Sequence, residues 1–249
     1  MRKVGVIGGL GPEATVLFMS RLIAAVPARD DADHVPLIVD QNPQVPSRID
    51  ALVEGCGPDP SPVLIDMARR LERAGAAALV MPCNTAHHYA ACIQDAVSIP
   101  FLSMVDLAAT HAAQVIRWGR VGLLGSPALE RAGVFDLPMA AQGVRVVPLT
   151  DPHAMLGAIR AIKARGTTPE VCAQLSREAH AQARAGAEAI CIGCTEFSLV
   201  AKEIEAPVPV FDALDLLVET VVRFSRDGRV PFAHAAPVAK SFNREKEVT

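Results

Sequence analysis

Two stretches of this sequence repeat one another and predict the fold: LVMPCNTAH at residues 79–87 and ICIGCTEF at residues 190–197. Each is a short apolar run followed by a proline or glycine, a cysteine, and small polar residues that can begin a helix. An Arg-Ala-Gly-Ala segment precedes both stretches at the same distance, so Cys83 and Cys194 lie at equivalent points 111 residues apart (194 − 83). This internal duplication predicts two similar halves, each with one cysteine at the same place.

Short apolar runs alternate with longer amphipathic segments along the chain, which is typical of α/β folds with mostly parallel strands. We predict two similar lobes, each with a mostly parallel sheet flanked by helices. Residues 1–106 with a returning C-terminal segment, 212–249, form the first lobe, and residues 107–211 form the second. Strands are expected near residues 3–8, 35–40, 77–81, 100–102, 120–124, 144–148, 188–192 and 208–211, and helices near residues 12–26, 62–74, 85–95, 104–117, 127–141, 152–165, 169–184, 196–204 and 213–226.

Proline marks the start of four predicted helices, each time after a side chain that can cap the helix. The capping oxygen accepts a hydrogen bond from a free amide of the first turn, and proline has no amide to lose there. The four pairs are Ser61-Pro62, Ser126-Pro127, Asp151-Pro152 and Thr168-Pro169.

The segment 41–62 interrupts this alternation, because it is rich in proline and glycine and lacks a periodic apolar face. It is expected to form a long loop after a strand, where ligand contacts concentrate in α/β sheets. The tail after Asp227 is polar and aperiodic, so we expect it to be loosely ordered.

The composition, 51% hydrophobic and 20% charged, is typical of a globular protein. A net charge of −3 gives no electrostatic reason to expect nucleic acid or an anionic membrane surface as a partner. No run of residues approaches the ~18 consecutive apolar positions needed to cross a bilayer, so no membrane association is expected. The six cysteines are expected to be reduced and the protein cytoplasmic.

Both repeated cysteines are predicted to lie where a buried strand ends and a helix begins. There each sulfur would face free backbone amides and the positive end of a helix dipole, which should lower the pKa of the thiol. If the lobes face each other, one sulfur lies on each side of a ligand in the cleft. Such a pair can invert a carbon centre, because one thiolate removes a proton while the opposite thiol delivers one.

Other interpretations of these cysteines remain open. Each could be a small buried hydrophobic residue, which is the usual state of a free cysteine. Cys191 and Cys194 have the spacing of a redox pair, although Cys191 is expected to point into the core. Cys83 with His87 or His88 could begin a metal site, but the ligand set is incomplete, so no metal is expected.

The glycine loop at residues 8–14 also permits several interpretations. Gly9, Gly11 and Ala14 fit the dinucleotide fingerprint G-x-G-x-x-A after a first strand. The acidic candidate for a ribose contact, Asp40, lies rather far along the chain. The glycines could instead let backbone amides approach a carboxylate at a helix start, or form a tight turn.

Four motifs occur in a fixed order: GGLGPEAT at residues 8–15, QNPQVPSR at 41–48, MPCNTAH at 81–87 and GCTE at 193–196. Together they resemble the cofactor-independent aspartate racemases of the aspartate/glutamate racemase superfamily. The resemblance implies two lobes related by a pseudo-twofold axis, an active site between them, no pyridoxal phosphate and no metal. It also implies a homodimer whose substrate is a small molecule, an acidic amino acid.

The same resemblance implies residue roles. Cys83 and Cys194 match the acid and base pair, Arg48 and Lys163 match charged residues near the substrate, and Asn84, Thr85 and Thr195 match polar residues that hold its α-carboxylate. The full predicted set of substrate-contacting residues is Leu10, Thr15, Asn42, Arg48, Asn84, Thr85, Ser126, Lys163, Thr195 and Glu196.

This chain departs from the family pattern at several positions. Relatives usually have Met in place of Leu10, Asn in place of Gln41, and an Ala-Thr-x-Gly-Thr loop where residues 125–129 read GSPAL. Glutamate racemases typically have His where this chain has Glu196, which favours aspartate. The predicted function is interconversion of L- and D-aspartate. The alternatives are a racemase for glutamate or several amino acids, a nucleotide-binding oxidoreductase, or a non-catalytic amino-acid-binding module.

Overall fold

The computed structural model describes residues 1–230 and contains two parallel sheets flanked by helices. In the first sheet the strand order is β2-β1-β3, and in the second it is β5-β4-β6-β7. The strands are β1 (Val4–Gly8), β2 (Leu37–Gln41), β3 (Ala78–Val80), β4 (Arg120–Leu124), β5 (Arg145–Val147), β6 (Ala189–Ile192) and β7 (Val210–Asp212). Within residues 1–230 every pairing between these strands is parallel, as the alternating pattern predicts.

Nine α-helices occur in the described residues. They are α1 (Pro12–Ala24), α2 (Ser61–Arg73), α3 (Ala90–Asp95), α4 (Met104–Val115), α5 (Pro127–Arg131), α6 (Asp136–Ala141), α7 (Pro152–Arg165), α8 (Pro169–Arg184) and α9 (Ala213–Asp227). Shorter 3-10 helices span Asp31–Asp33, Thr85–Tyr89 and Phe197–Glu203, and a π-helix spans Asp50–Glu54. None of the helices within residues 1–230 combines the length and the apolar character required to cross a membrane.

Apolar periodicity explains how the helices pack on the sheets. Leu64, Met67 and Leu71 of α2 recur at helical spacing on one buried face. Each such side chain contributes about 1.5–3 kcal/mol by leaving water. One core cluster contains Val6 from the first sheet and Val121 from the second, so buried side chains connect the two sheets.

Helix α9 packs against α1 and α4, both of which belong to the first half of the chain. The Arg2 amide donates to the Ser225 carbonyl at 2.8 Å, and the Ser225 hydroxyl donates to the Arg2 carbonyl at 2.9 Å. The predicted boundaries, residues 1–106 with 212–249 and residues 107–211, stay a prediction. Residues 231–249 of the predicted loose tail lie outside the described residues.

Several predicted elements are wrong in detail. Segment 127–141 is two helices, because the backbone turns at Gly133 with a φ of +60°. Segment 85–95 begins as a 3-10 helix, and the helix of segment 196–204 is 3-10 throughout. The predicted strand 100–102 is a single bridge between Phe101 and Leu79. The predicted long loop 41–62 contains the π-helix, which ends at Gly55 with a φ of +66°.

Three of the four predicted helix caps are confirmed. Ser126, Asp151 and Thr168 each accept a hydrogen bond from a backbone amide three residues later. The fourth is wrong, because the Asp59 carboxylate replaces it by accepting from both the amide and the hydroxyl of Ser61, at 2.9 and 2.8 Å.

Candidate active site

Both repeated cysteines follow the ends of buried strands, as the duplication predicts. Cys83 follows β3 and precedes the 3-10 helix Thr85–Tyr89, whereas Cys194 follows β6 and precedes the 3-10 helix Phe197–Glu203. Each cysteine is 7% exposed. Gly193 allows the second turn to pack closely, since a Cβ atom there would lie 2.5 Å from Leu123 Cδ1. The two sulfurs therefore occupy equivalent places in the two halves.

Cys83 and Cys194 line the same pocket, which is open to solvent. Its walls come from both halves of the chain, so a small ligand bound there would contact both halves. The other lining residues are Leu10, Ser47, Arg48, Ile49, Thr85, Ser126, Ile159, Lys163 and Glu196.

A chain of polar contacts connects Cys194 to Lys163. The Cys194 thiol donates to Glu196 Oε2 at 3.1 Å, and Glu196 Oε1 lies 3.1 Å from Lys163 Nζ. Burial raises the pKa of Cys194 well above its ordinary value, and the neighbouring Glu196 carboxylate raises it further. Cys194 is therefore held as a protonated thiol that donates a hydrogen bond.

Cys83 lies in a different electrostatic environment. Burial raises the pKa of Cys83, while the Arg48 guanidinium opposes that rise and the Glu196 carboxylate adds to it. The Ala86 amide contacts the sulfur and also favours the thiolate, as expected at a helix start. The prediction that both thiol pKa values lie below the usual range is wrong for this conformation. Burial removes water from each sulfur and raises the pKa by more than the amides at the short helix starts lower it.

Arg48 connects two loops at the rim of the pocket. Its guanidinium donates to the Leu10 carbonyl at 3.0 Å, the Pro46 carbonyl at 3.0 Å and the Val45 carbonyl at 3.3 Å. Leu10 belongs to the glycine loop and the other two belong to the loop after β2. Arg48 therefore positions the pocket wall besides supplying a positive charge.

A second contact joins the two halves at the pocket. The hydroxyl oxygens of Thr85 and Ser126 lie 3.1 Å apart, and Ser126 also accepts a hydrogen bond from the Leu129 amide at 3.1 Å. Thr85 follows Cys83 and Ser126 follows β4, so this contact connects the first cysteine turn to the second sheet.

Residues 7–221 match the sequence profile of the Asp/Glu/hydantoin racemases. The chain belongs to this racemase family. It is therefore an isomerase, and more specifically an amino-acid racemase.

Individual relatives agree with this family. The chain is 24% identical to the broad specificity amino-acid racemase RacX of Bacillus subtilis, over 88% of this chain and 96% of the relative. It is 25% identical to a glutamate racemase of Sphingopyxis alaskensis, over 98% and 87%. The solved aspartate racemase of Picrophilus torridus is 26% identical and has a TM-score of 0.80, with 90% of this chain and 94% of that chain covered.

Within this racemase, six of the predicted substrate-contacting residues line the pocket with the cysteines. They are Leu10, Arg48, Thr85, Ser126, Lys163 and Glu196. The other four, Thr15, Asn42, Asn84 and Thr195, are not among the lining residues.

The glycine loop explains where Thr15 and Asn42 lie. The Thr15 hydroxyl accepts from the Gly9 amide at 3.0 Å, and the Asn42 side chain accepts from the Gln44 amide at 3.0 Å. Gly9 has a φ of +90°, and a Cβ atom there would lie 2.4 Å from the Asn42 carbonyl carbon. Gly9 is thus required by a tight turn, one of the roles predicted for this loop.

Sequence reasoning missed three lining residues: Ser47, Ile49 and Ile159. Ile159 and Lys163 are four residues apart on α7, so they share one helix face. That spacing could have indicated Ile159. Ser47 and Ile49 flank Arg48 just before the π-helix, in a segment without apolar periodicity, and no sequence signal distinguishes them.

Two observations concern the redox and metal alternatives for the cysteines. All six cysteines are free, and Cys191 is fully buried within β6. Within residues 1–230, no group of three or more His, Cys, Asp or Glu side chains is arranged to hold a metal ion.

His87 ties the first cysteine turn to helix α4. Its Nε2 accepts from the Met104 amide at 3.2 Å, so Nδ1 carries the proton and donates to the Cys83 carbonyl at 2.9 Å. Burial lowers the pKa of His87 to about 4. The ring is therefore neutral in the folded protein at neutral pH.

We expect His87 to make stability depend on pH between about 4 and 6.5. In this window the unfolded chain protonates His87 and the folded chain does not, so the free energy of unfolding falls as pH falls. His87 should thus lower the free energy of unfolding by roughly 3 kcal/mol in total between pH 6.5 and pH 4. Denaturant unfolding of the wild type and His87→Gln at several pH values measures it.

The exposed His153 provides a matched control. His153→Gln should keep the wild-type pH dependence, whereas His87→Gln should flatten it. Equal slopes for the wild type and His87→Gln would contradict the assignment of a neutral, buried His87.

Proposed function

We propose that this racemase interconverts L- and D-aspartate without a cofactor, with Cys83 and Cys194 as opposed acid and base. The observation that carries the proposal is that two cysteines on equivalent turns of a duplicated fold line one pocket. Acid–base catalysis requires both groups within reach of the same carbon, and the shared pocket supports such an arrangement.

The asymmetry of the two thiols suggests how a cycle begins. Cys194 donates to Glu196 and is held protonated, while Cys83 lies near the Arg48 guanidinium. In one direction the Cys83 thiolate removes the Cα proton, and the Cys194 thiol delivers its own proton to the opposite face. The enzyme then has a protonated Cys83 and a Cys194 thiolate, which is the form that converts the other enantiomer.

The charges of the pocket fit an acidic amino acid. Two cations, Arg48 and Lys163, line it together with one carboxylate, Glu196, so its charged side chains other than the cysteines sum to +1. An amino acid with two carboxylates and one ammonium group has a net charge of −1. Arg48 and Lys163 are therefore proposed to hold the carboxylates of the substrate, with a charge-assisted bond contributing about 1.5–3 kcal/mol.

Asn84 supports a carboxylate site next to Cys83. Its amide is 2% exposed, and neither amide atom has a hydrogen-bond partner among the described residues. Buried polar groups normally have partners, so an unpaired amide beside a cysteine favours a polar ligand there. We propose that Asn84, Thr85 and Thr195 hold the α-carboxylate.

A broader or different specificity is the second candidate. One relative is a broad specificity amino-acid racemase and another is a glutamate racemase. Glutamate has the same charges as aspartate and one more methylene group.

Two further properties stay predictions: that the protein forms a homodimer, and that it is located in the cytoplasm.

Chiral chromatography of a panel of amino acids, each incubated without added cofactor, tests the proposal. The panel should include aspartate, glutamate, alanine, serine and lysine. Aspartate is expected to have the highest kcat/KM. A higher value for another amino acid would reassign the substrate, and no racemisation of any would overturn the proposed activity.

Replacement of Arg48 is expected to weaken catalysis through both of its roles. Arg48→Ala should lower kcat/KM for aspartate by about tenfold or more, because it removes a charge-assisted bond and three contacts to loop carbonyls. Arg48→Lys, which keeps the charge, should lie between this variant and the wild type. Steady-state kinetics measure both.

The exposed Arg165 on α7 serves as a control for loss of an arginine. Arg165→Ala should behave like the wild type. If Arg48→Ala also kept wild-type kinetics, Arg48 would have no part in substrate binding.

A further inference from the structure

Four residues after each cysteine, a side chain ties the cysteine turn to the start of a later helix, α4 in the first half and α9 in the second. In the first half this residue is His87, which bonds the Cys83 carbonyl and the Met104 amide. In the second half it is Ser198, whose hydroxyl donates to Asp212 Oδ1 at 2.9 Å. The same Asp212 oxygen accepts from the Leu214 amide at 2.9 Å and caps α9.

The second turn has an additional contact from the first half of the chain. Arg21, on α1, donates through Nη1 to Asp212 Oδ2 at 2.6 Å and to Asp215 Oδ1 at 2.8 Å. Its Nη2 donates to the Ser198 carbonyl. The Asp212 side chain is 3% exposed and that of Arg21 is 20% exposed, so this ion pair is largely buried.

These contacts reach Cys194 through one further residue. The Ser198 amide donates to the Cys194 carbonyl at 3.2 Å. Ser198 is thus held at its hydroxyl by Asp212, at its carbonyl by Arg21 and at its amide by Cys194. Helix α1 begins directly after the glycine loop that contributes Leu10 to the pocket, so Arg21 links that wall to the Cys194 turn.

We propose that Arg21 and Asp212 are positioning residues for Cys194, which fix the turn after β6 so that its sulfur stays at the pocket. This inference rests on the proposed two-cysteine function. Arg21 and Asp212 pair with each other and with the Ser198 turn, and neither is proposed to touch the substrate. The His87 contacts fix Cys83 separately, and loss of Arg21 should therefore disturb Cys194 and spare Cys83.

The electrostatics of Asp212 determine which variants are informative. Burial raises the pKa of Asp212, and the Arg21 guanidinium is the strongest opposing influence. Arg21→Met keeps a long apolar side chain but leaves a buried carboxyl without its cation. The double variant Arg21→Met/Asp212→Asn removes both charges and keeps an oxygen for the Ser198 hydroxyl and the Leu214 amide.

Site-resolved alkylation tests the inference. The folded proteins are treated with iodoacetamide, and peptide mass spectrometry measures the rates at Cys194 and Cys83. In Arg21→Met and in the double variant, the ratio of the Cys194 rate to the Cys83 rate should rise several-fold. Arg21→Lys, which keeps the charge with Asp212, should restore much of the wild-type ratio.

Kinetics provide the second measurement. The kcat for aspartate should fall by about tenfold to 10²-fold with little change in KM, because a small displacement of a reacting group is costly. Asp215→Asn is the matched control, since Asp215 contacts the same guanidinium but is 57% exposed. It should change neither the alkylation ratio nor kcat.

An unchanged alkylation ratio in the double variant would overturn the inference, even if its melting temperature fell. Arg21 and Asp212 would then stabilise the fold without positioning Cys194. Alkylation requires no turnover, so wild-type protein that racemised no amino acid would refute the proposed function and leave this test of positioning intact.

Discussion

Serine in place of either Cys83 or Cys194 should nearly abolish racemisation, with a loss of at least about 10²–10⁴-fold in kcat. A serine hydroxyl is almost the same size as a thiol but is far harder to ionise, so it can neither take nor readily deliver the Cα proton. Because the two cysteines serve opposite faces, either single replacement should stop the reaction. Chiral chromatography measures the rate of each variant, and circular dichroism verifies the fold.

The other cysteines allow a matched comparison. Cys56 is exposed and Cys172 is partly buried on α8, and neither lines the pocket with the proposed pair. Cys56→Ser and Cys172→Ser should keep wild-type rates. If Cys83→Ser or Cys194→Ser racemised aspartate at close to the wild-type rate, that cysteine would be structural and the two-thiol mechanism would be wrong.

Glu196→Gln should lower kcat by about 10²-fold. The Glu196 carboxylate accepts the Cys194 thiol proton in a 3.1 Å hydrogen bond and pairs with Lys163. Glutamine keeps the size of the side chain but removes its charge, so Cys194 loses the anion that keeps it protonated. Lys163 also becomes free to move towards the substrate or away from the pocket.

The same replacement has a signature in the pH profile. Because Glu196 raises the pKa of Cys194, its removal should lower that pKa. The high-pH limb of kcat/KM, where the second thiol loses its proton, should therefore move to lower pH. Glu203 is exposed on the 3-10 helix after Cys194, and Glu203→Gln should leave the profile in place. An unshifted limb in Glu196→Gln would exclude this role.

The sequence predicted the arrangement of the fold well, because the strands, helix faces and helix caps of both halves follow from short-range sequence patterns. The buried run at β1, the apolar face of α2 and the caps at Ser126 and Thr168 are all set by neighbours in the chain. The turn at Gly133 was missed, since an apolar helical pattern continues on both sides of it.

The site was only partly predictable. Motifs identified the two cysteines, and the structure brings both to one pocket. Their pKa values depend on how much protein surrounds each sulfur, which is a property of the assembled fold. Arg48 contacts the Leu10 carbonyl, and Arg21 pairs with Asp212. Both contacts join residues far apart in the sequence, so no local sequence pattern predicts them.

The most direct test of two opposed cysteines is the position of the isotope in the first turnovers. L-Aspartate is incubated with the enzyme in D2O, and the reaction is stopped at low conversion. The enantiomers are then separated, and mass spectrometry measures deuterium at Cα in each.

The two-cysteine mechanism predicts deuterium in the D-aspartate formed, because a thiol that has exchanged with solvent D2O delivers a deuteron to Cα. The remaining L-aspartate should keep its original hydrogen, since its own thiolate faces only one side of the carbon. D-Aspartate that retains the substrate hydrogen, or L-aspartate labelled as fast as the product forms, would show that one group serves both faces and would contradict the mechanism.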